Sequence, residues 1–132
     1  MPETTSAAPL TGERLDVLMV EDEPGVAWST AEVLESAGFT VVVTKTVAEA
    51  LQVVESRDVR SVILDHHVSG EYGETFLALA RTHPPVIVVS ALGQDLMDTF
   101  RAAHSDEVVA CLAKPVPPAH LIDIVRLAVE RA

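Results

Sequence analysis

Five short runs of mostly apolar, often β-branched residues recur along this chain, and a stretch of helical periodicity follows each one. Such alternation is typical of β-α-β units, whose strands lie side by side in a parallel sheet. The runs are nearly continuous in apolar character, as strands covered by helices on both faces must be. The sequence therefore predicts an α/β fold, a five-stranded parallel sheet flanked by helices on both faces, with strands at residues 15–20, 40–44, 61–64, 86–89 and 108–112.

The segments between the runs carry helix start and stop signals. Pro24 suits the first turn of a helix and Gly38 suits the position just past its end, so the first predicted helix lies between them. Trp28 is one residue off the apolar stripe of that helix, and we expect it to be partly exposed and without a binding role. A second helix begins near Thr46, and a third should contain Phe76, Leu77 and Ala80 and end before His83-Pro84-Pro85. Apolar spacing predicts two more helices, roughly at residues 94–103 and 118–130.

Length and composition limit the classes of protein that this chain could represent. Its 132 residues suit one domain, and 48% hydrophobic with 22% charged residues is the balance of a self-folding globular protein. We expect residues 1–13 to form a flexible tail and residues 14–132 to form the domain. Twenty acidic against nine basic side chains leave a formal charge of -11, which argues against direct binding to nucleic acid.

Two weaker signals bear on location. Cys111 is the only cysteine, so no intrachain disulfide can form, which fits a reducing compartment. No apolar run approaches the roughly 20 residues that span a bilayer, and the N-terminal segment lacks the pattern of a signal peptide. These features predict a cytoplasmic protein that does not associate with a membrane.

Polar side chains follow four of the five predicted strands. Glu21 and Asp22 come directly after the first strand, Asp65 after the third, Ser90 after the fourth, and Lys114 shortly after the fifth. Ligands of open α/β sheets bind outside the carboxyl ends of the strands, so these five side chains are expected to converge there. Each one alone is more often a turn residue, a cap or a surface charge, and only the combination indicates a site.

The charges of this combination predict its chemistry. Two like charges about 4 Å apart repel by roughly 4 kcal/mol at an effective dielectric of 20, so three converging carboxylates would recruit a cation. Mg2+ suits such a site because it binds through one or two carboxylates and takes further ligands from phosphate oxygens. The sequence therefore predicts phosphoryl chemistry, with a carboxylate as nucleophile and with Lys114 and Ser90 stabilising the transferred group.

Four motifs at these strand ends resemble the signature positions of response-regulator receiver domains, namely Val20-Glu21-Asp22-Glu23, Leu64-Asp65, Val89-Ser90-Ala91 and Ala113-Lys114-Pro115. The similarity extends from residue 15 to residue 132. It implies a (βα)5 flavodoxin-like receiver fold and a switch of a two-component or phosphorelay system, which assists its own phosphorylation and dephosphorylation but is not an enzyme. It further implies that Asp65 accepts a phosphoryl group from a histidine kinase or a histidine phosphotransfer protein.

The same resemblance implies a Mg2+ site. Asp22 and Asp65 would ligate the ion together with the backbone carbonyl of His67, while Glu21 would act mostly through bound water. The side chains of His66 and His67 are not predicted to form a transition-metal site, because neighbouring residues of an extended segment point opposite ways and no third ligand is evident.

The resemblance also implies a conformational switch built on Ser90, Cys111 and Pro115. Ser90 and Lys114 would contact the phosphoryl oxygens, and the Lys114–Pro115 peptide bond is expected to be cis. Two positions depart from the family pattern, since Ser69 stands where a proline is usual and Cys111 stands where an aromatic residue usually couples to the hydroxyl. The downstream protein is not predicted, and the fourth and fifth helices form the surface through which family members often pair as homodimers.

Two other functions remain open at this point. A receiver-like interaction module that works without phosphorylation is suggested by Cys111 and Ser69. A hydrolase of the haloacid-dehalogenase type also uses an aspartate nucleophile, Mg2+, a hydroxyl and a lysine. Such a hydrolase needs a second aspartate two residues after the nucleophile, where this chain has His67, and it needs a cap insertion that the sequence lacks.

Overall fold

Strands alternate with helices in the part of the chain that the computed structural model describes, which is residues 14–65, 67–68, 71–72, 84–91, 98, 102 and 108–131. The strands are β1 (Val17–Val20), β2 (Val41–Thr44), β3 (Val62–Asp65), β4 (His67–Val68), β5 (Glu71–Tyr72), β6 (Val86–Ser90) and β7 (Val108–Ala113). The helices are α1 (Pro24–Ser36), α2 (Val47–Ser56) and α3 (Pro118–Arg131). None of these helices is long and apolar enough to cross a membrane.

Five of the strands form one parallel sheet in the order β2-β1-β3-β6-β7, which confirms the predicted fold class. Because parallel strands point the same way, the carboxyl ends of β1, β3, β6 and β7 lie along one edge of the sheet. The chain runs outward from β1 to β2 and then crosses back to β3, so the order of the strands reverses between β1 and β3. Open α/β sheets bind their ligands at such a reversal.

Side chains at both ends of α1 explain where this helix starts and stops. Glu23 precedes it, and its Oε1 accepts hydrogen bonds from the backbone N–H groups of Gly25 (2.8 Å) and Val26 (3.2 Å). Pro24 occupies the first turn, where a backbone N–H is not needed. Gly38 follows the helix with a φ of 101°, a conformation that favours glycine. The predicted limits of the first helix are therefore confirmed.

Helices on both faces of the sheet bury it in two apolar layers. Alternate residues of each strand point to opposite faces, which is why the strands are apolar almost throughout. The layer under α2 contains Leu15, Leu18, Val20, Val47, Ala50, Val54, Val62, Leu64, Val86, Val88, Val108 and Cys111. The layer under α1 and α3 contains Val17, Met19, Ala27, Ala31, Leu34, Val41, Ile63, Ile87, Val89, Leu121, Val125, Ala128 and Val129.

One extra residue, Val109, interrupts the pairing of β7 with β6. Val108 and Ala110, on either side of it, pair with consecutive residues of β6. Val109 and Ala110 consequently both pack against the layer under α1 and α3 instead of alternating between faces. Beyond this β-bulge the pairing is regular again, and it brings Ala113 beside Ser90.

The structure adds one element that the sequence analysis did not predict, an antiparallel hairpin formed by β4 and β5. Several predictions concern residues outside the described part of the chain, among them the tail at 1–13, the helix at 76–80 and the effect of Ser69. Asp98 and Ala102, which belong to the helix predicted at 94–103, are helical.

Candidate functional site

The three acidic residues after β1 differ in their exposure and contacts. Glu21 is buried, with 6% of its surface exposed, and its Oε2 accepts a hydrogen bond from the backbone N–H of Glu23 at 3.2 Å. Asp22 is exposed. Glu23 turns back to cap α1, a role that sequence analysis missed although Pro24 directly after it is a signal of a helix start.

Lys114 extends from the end of β7 to two carboxylates on neighbouring strands. Its Nζ lies 3.4 Å from Glu21 Oε1 and 3.6 Å from Asp65 Oδ2. The side chain of Lys114 is 30% exposed, whereas those of Glu21 and Asp65 are 7% and 12% exposed. These ion pairs are therefore partly shielded from solvent, and salt screens such pairs less than surface pairs.

Glu21, Asp22 and Asp65 form the acidic group that the sequence predicts. One oxygen atom from each carboxylate lies within 4.8 Å of the other two. Two oxygens bound to one Mg2+ at about 2.1 Å can be at most about 4.2 Å apart, so a small inward movement, or a water between Glu21 and the ion, gives the required spacing. Lys114 offsets only one of the three negative charges. The cluster therefore suits Mg2+ in the kind, the charge and the spacing of its ligands.

Burial raises the pKa of Glu21 above its ordinary value of 4.5, and the charge of Asp65 raises it further. The ammonium of Lys114 and the hydrogen bond from the backbone of Glu23 lower this pKa, but the net shift is upward. A divalent cation in the cluster would favour the charged form of Glu21. Metal binding and proton release from this carboxylate are consequently linked.

Ser90 ends β6 next to these groups. It is buried, with 5% of its surface exposed, and its carbonyl accepts a hydrogen bond of 2.7 Å from the backbone N–H of Lys114. This hydrogen bond ties the end of β6 to the end of β7, so the side chains of Ser90 and Lys114 start from adjacent points on the sheet edge. The peptide bond between Lys114 and Pro115 is cis, as expected.

The sequence itself decides which family this arrangement represents. Residues 17–126 match the family described as response regulator receiver domain. The chain belongs to this family. It is therefore a receiver domain of two-component signalling, and receiver domains generally act as switches rather than as enzymes. The fold inferred from the four motifs is confirmed by this match and by the observed sheet.

Known proteins similar to this receiver domain include regulators and sensors. The nitrogen assimilation regulatory protein NtrX of Azorhizobium caulinodans is 28% identical over 118 residues, which are 87% of this chain and 26% of NtrX. The receiver domain thus spans about a quarter of that relative.

Solved structures agree with the assignment. A response regulator from Chloroflexus aurantiacus is 27% identical with a TM-score of 0.75, covering 91% of this chain and 99% of that one. A sensor protein from Polaromonas is 26% identical with a TM-score of 0.77, covering 90% and 97%. A CheY-like receiver domain from Methanospirillum hungatei, 23% identical over 91% of this chain and 95% of that one, shares the fold with a TM-score of 0.76.

Cys111 and His67, two further residues predicted for the receiver site, also have a position in the structure. Cys111 is buried, with 7% of its surface exposed, and it packs in the layer under α2 as a small apolar side chain should. Its part in the switch stays a prediction. His67, the expected source of a carbonyl ligand, opens β4 two residues after Asp65, and its metal contact also stays a prediction.

A cavity of about 290 Å3 opens beside the acidic cluster of this receiver domain, and sequence analysis did not predict it. Its polar lining comes from Glu21, Thr30, Asp65 and Lys114, and the rest of the wall is apolar. Val26, which is 41% exposed on α1, is part of this wall. Val26 lies outside the buried stripe of α1, and an apolar residue in that position was the sequence signal that could have indicated this cavity. It marks an apolar surface next to Asp65, the candidate phospho-acceptor.

Proposed function

We propose that this receiver domain accepts a phosphoryl group on Asp65 from a histidine kinase or a histidine phosphotransfer protein, and that the transfer requires Mg2+. One observation carries the proposal: oxygens of Glu21, Asp22 and Asp65 lie within 4.8 Å of one another, and Lys114 Nζ lies 3.6 Å from Asp65 Oδ2. The carboxylate proposed as the nucleophile, the carboxylates proposed as metal ligands and a cation thus share one end of the sheet, which supports the proposal.

The proposed reaction moves the phosphoryl group from one nucleophile to another. A carboxylate oxygen of Asp65 forms a bond to phosphorus while the bond from phosphorus to the donor imidazole nitrogen breaks, and the imidazole leaves with that electron pair. The product is an acyl phosphate on Asp65. Water later cleaves it to inorganic phosphate, so the domain assists both steps without turning over a substrate of its own.

The neighbouring residues stabilise the charge of the transferred group. Lys114 holds its ammonium beside Asp65, where it can pair with a phosphoryl oxygen, and the hydroxyl of Ser90 would donate a hydrogen bond to another. Asp22, Asp65 and the carbonyl of His67 would hold Mg2+, which would supply further positive charge to the transferred group.

Incubation with Mg2+ and a small acyl-phosphate donor tests the proposal. Wild type should gain one phosphoryl group in its intact mass, and Asp65→Asn should gain none, nor should wild type in EDTA. The matched control is Asp58→Asn, which removes a 66% exposed carboxylate outside the cluster and should leave the gain unchanged. A modified Asp65→Asn variant, or an unmodified wild type, would show that the assignment of Asp65 is wrong.

A phosphorylation-independent interaction module is the second candidate, and the burial of Cys111 favours it. Receiver domains usually carry an aromatic residue here, and Cys111, with 7% exposure, has no ring to move between buried and exposed positions. This candidate predicts equal partner affinity for the phosphorylated and the unmodified domain, whereas a phosphorylation switch predicts different affinities. Membership of the receiver family argues against the third possibility, a hydrolase.

We also propose that two copies of the domain pair through α3. This helix is the fifth predicted one, at residues 118–130, and so belongs to the surface predicted for homodimers. Leu127 is 58% exposed on this helix, and Ile124, one turn before it, is half-buried. Pairing would remove this apolar surface from water. Light scattering should show fewer dimers for Leu127→Glu and no change for Ser36→Glu on α1; equal dimer fractions would contradict the proposal.

The cytoplasmic location and the downstream protein stay predictions.

A further inference from the structure

The outer surface of α1 combines an exposed tryptophan with two exposed carboxylates. Trp28 is 45% exposed, and Glu32 and Glu35 are exposed as well. The spacings of four and three residues place these side chains on one stripe along the helix. At a rise of 1.5 Å per residue, the stripe is about 10 Å long. We call Trp28, Glu32 and Glu35 the α1 outer stripe.

Among the described residues, no positive side chain pairs with this stripe. α1 contains neither lysine nor arginine, and in the described part of the chain no ion pair involves Glu32 or Glu35. The cation–π contact found among the described residues joins Arg126 to the ring of Phe39, at 5.6 Å from its centre, and not to Trp28. The stripe therefore presents an aromatic face and two negative charges to the solvent.

This arrangement is unfavourable for the isolated domain. Glu32 and Glu35 lie in the C-terminal half of α1, where the helix dipole is negative, and the last turn has no basic residue. Although Glu35 is largely exposed, partial desolvation raises its pKa, and the charge of Glu32 raises it further. The two carboxylates thus repel each other, and a cation from another molecule would relieve that repulsion.

We propose that the α1 outer stripe is a docking site for an arginine-bearing segment of a partner protein. The guanidinium would stack on the ring of Trp28 and donate paired hydrogen bonds to a carboxylate of the stripe. Arginine fits better than lysine because its planar group can stack and bind a carboxylate with two parallel hydrogen bonds. The docking site replaces the earlier prediction that Trp28 has no binding role, and it does not depend on phosphorylation of Asp65.

The charge of the whole domain supports this class of partner. A net charge of -11 attracts a basic protein segment over a distance and repels nucleic acids and anionic membranes. Two turns of helix give room for two basic side chains, one on the ring of Trp28 and one against Glu35. A basic segment with arginines one turn apart therefore matches both the length and the charge of the stripe.

Fluorescence of Trp28 provides a direct test, since it is the only tryptophan of the chain. The probe is a helical peptide of about 15 residues, rich in alanine and glutamine, with arginines at positions i and i+4. Saturable binding should change the emission of Trp28. In calorimetry, Trp28→Leu and the double variant Glu32→Gln/Glu35→Gln should each weaken binding about three- to tenfold.

The matched control is Glu55→Gln/Glu130→Gln, which removes the same charge from exposed positions on α2 and α3. This control should keep wild-type affinity within about twofold, because distant charges are screened. Equal weakening by both double variants would show general electrostatic attraction and overturn the proposal. Saturable binding without a change in Trp28 emission, or equal affinity for a peptide with lysines in place of arginines, would also overturn it.

Discussion

Lys114→Met should destabilise the metal-free domain because it removes the counterion of the acidic cluster. At an effective dielectric of 20, unit charges 3.4 and 3.6 Å apart attract by about 5 kcal/mol each. Lys114 is 30% exposed, and both screening and side-chain relaxation reduce the net effect. We expect the free energy of unfolding to fall by about 1 to 3 kcal/mol in EDTA.

The same variant should bind Mg2+ more tightly. Lys114 and the ion are both positive and share Asp65, so each opposes the binding of the other. If the relieved repulsion is about 1.4 kcal/mol, Mg2+ affinity rises about tenfold. A ligand that binds the folded state stabilises it in proportion to the logarithm of its affinity. At saturating Mg2+, the loss of unfolding free energy caused by Lys114→Met should therefore be smaller by about 1.4 kcal/mol than in EDTA.

Urea denaturation in EDTA and in saturating Mg2+, together with calorimetric titration of Mg2+, measures both effects. Arg14→Met is the charge-matched control, because Arg14 is 57% exposed and pairs with an exposed Asp58. This control should change stability by less than about 1 kcal/mol in either buffer. An equal loss for Lys114→Met in both buffers, with unchanged Mg2+ affinity, would refute the idea that Lys114 is the counterion of the metal cluster.

Four further changes test other parts of the structure. Glu21 binds its proton more tightly in the folded domain than in the unfolded chain, so the free energy of unfolding of the metal-free domain should fall as the pH rises from 4.5 through the raised pKa. In urea denaturation, Glu21→Gln should therefore be more stable than wild type at neutral pH, and the difference should disappear toward about pH 4. Arg57→Met should raise the free energy of unfolding by about 1 kcal/mol, since Nε and Nη2 of Arg57 are buried and have no hydrogen-bond partner among the described residues; a clear loss of stability would reveal an acceptor. Gly38→Ala should cost about 1 kcal/mol in thermal melts because of its φ of 101°, and an unchanged melt would contradict that reasoning. Deleting Val109 should regularise β7 and preserve modification of Asp65 by an acyl-phosphate donor, whereas loss of modification would show that the bulge is required.

The elements of this receiver domain follow from signals that are local in sequence. Each predicted strand agrees with an observed one to within two residues. The second helix begins near Thr46 as predicted, and Thr46 caps it by accepting a hydrogen bond from the N–H of Glu49 at 3.1 Å. For the helices and strands, local signals suffice because apolar runs, caps and glycine turns act over a few residues. The cluster of Glu21, Asp22 and Asp65 could be predicted because parallel strands share one carboxyl edge.

The convergence of these side chains was predicted, but the specific pairings among them and the space beside them could not be. Lys114 and Glu21 are 93 positions apart, and their pairing depends on where β7 ends relative to β1. The cavity beside Asp65 depends on the gap left between α1, the sheet and the start of α3. The β4–β5 hairpin is too short for a periodic pattern to reveal it.

The bulge at Val109 also affects how this domain is compared with its relatives. The pairing of β7 with β6 is regular from Ala110 to Ala113, so the bulge does not disturb the count of three residues back from Lys114 by which Cys111 is assigned to the position that is usually aromatic. A count of residues that continues from Ala110 back toward Val108 is displaced by one, because Val109 has no pairing partner in β6. An alignment with a relative whose last strand is regular therefore needs a one-residue gap at Val109, and without it the start of this strand would be matched to residues on the opposite face of the sheet.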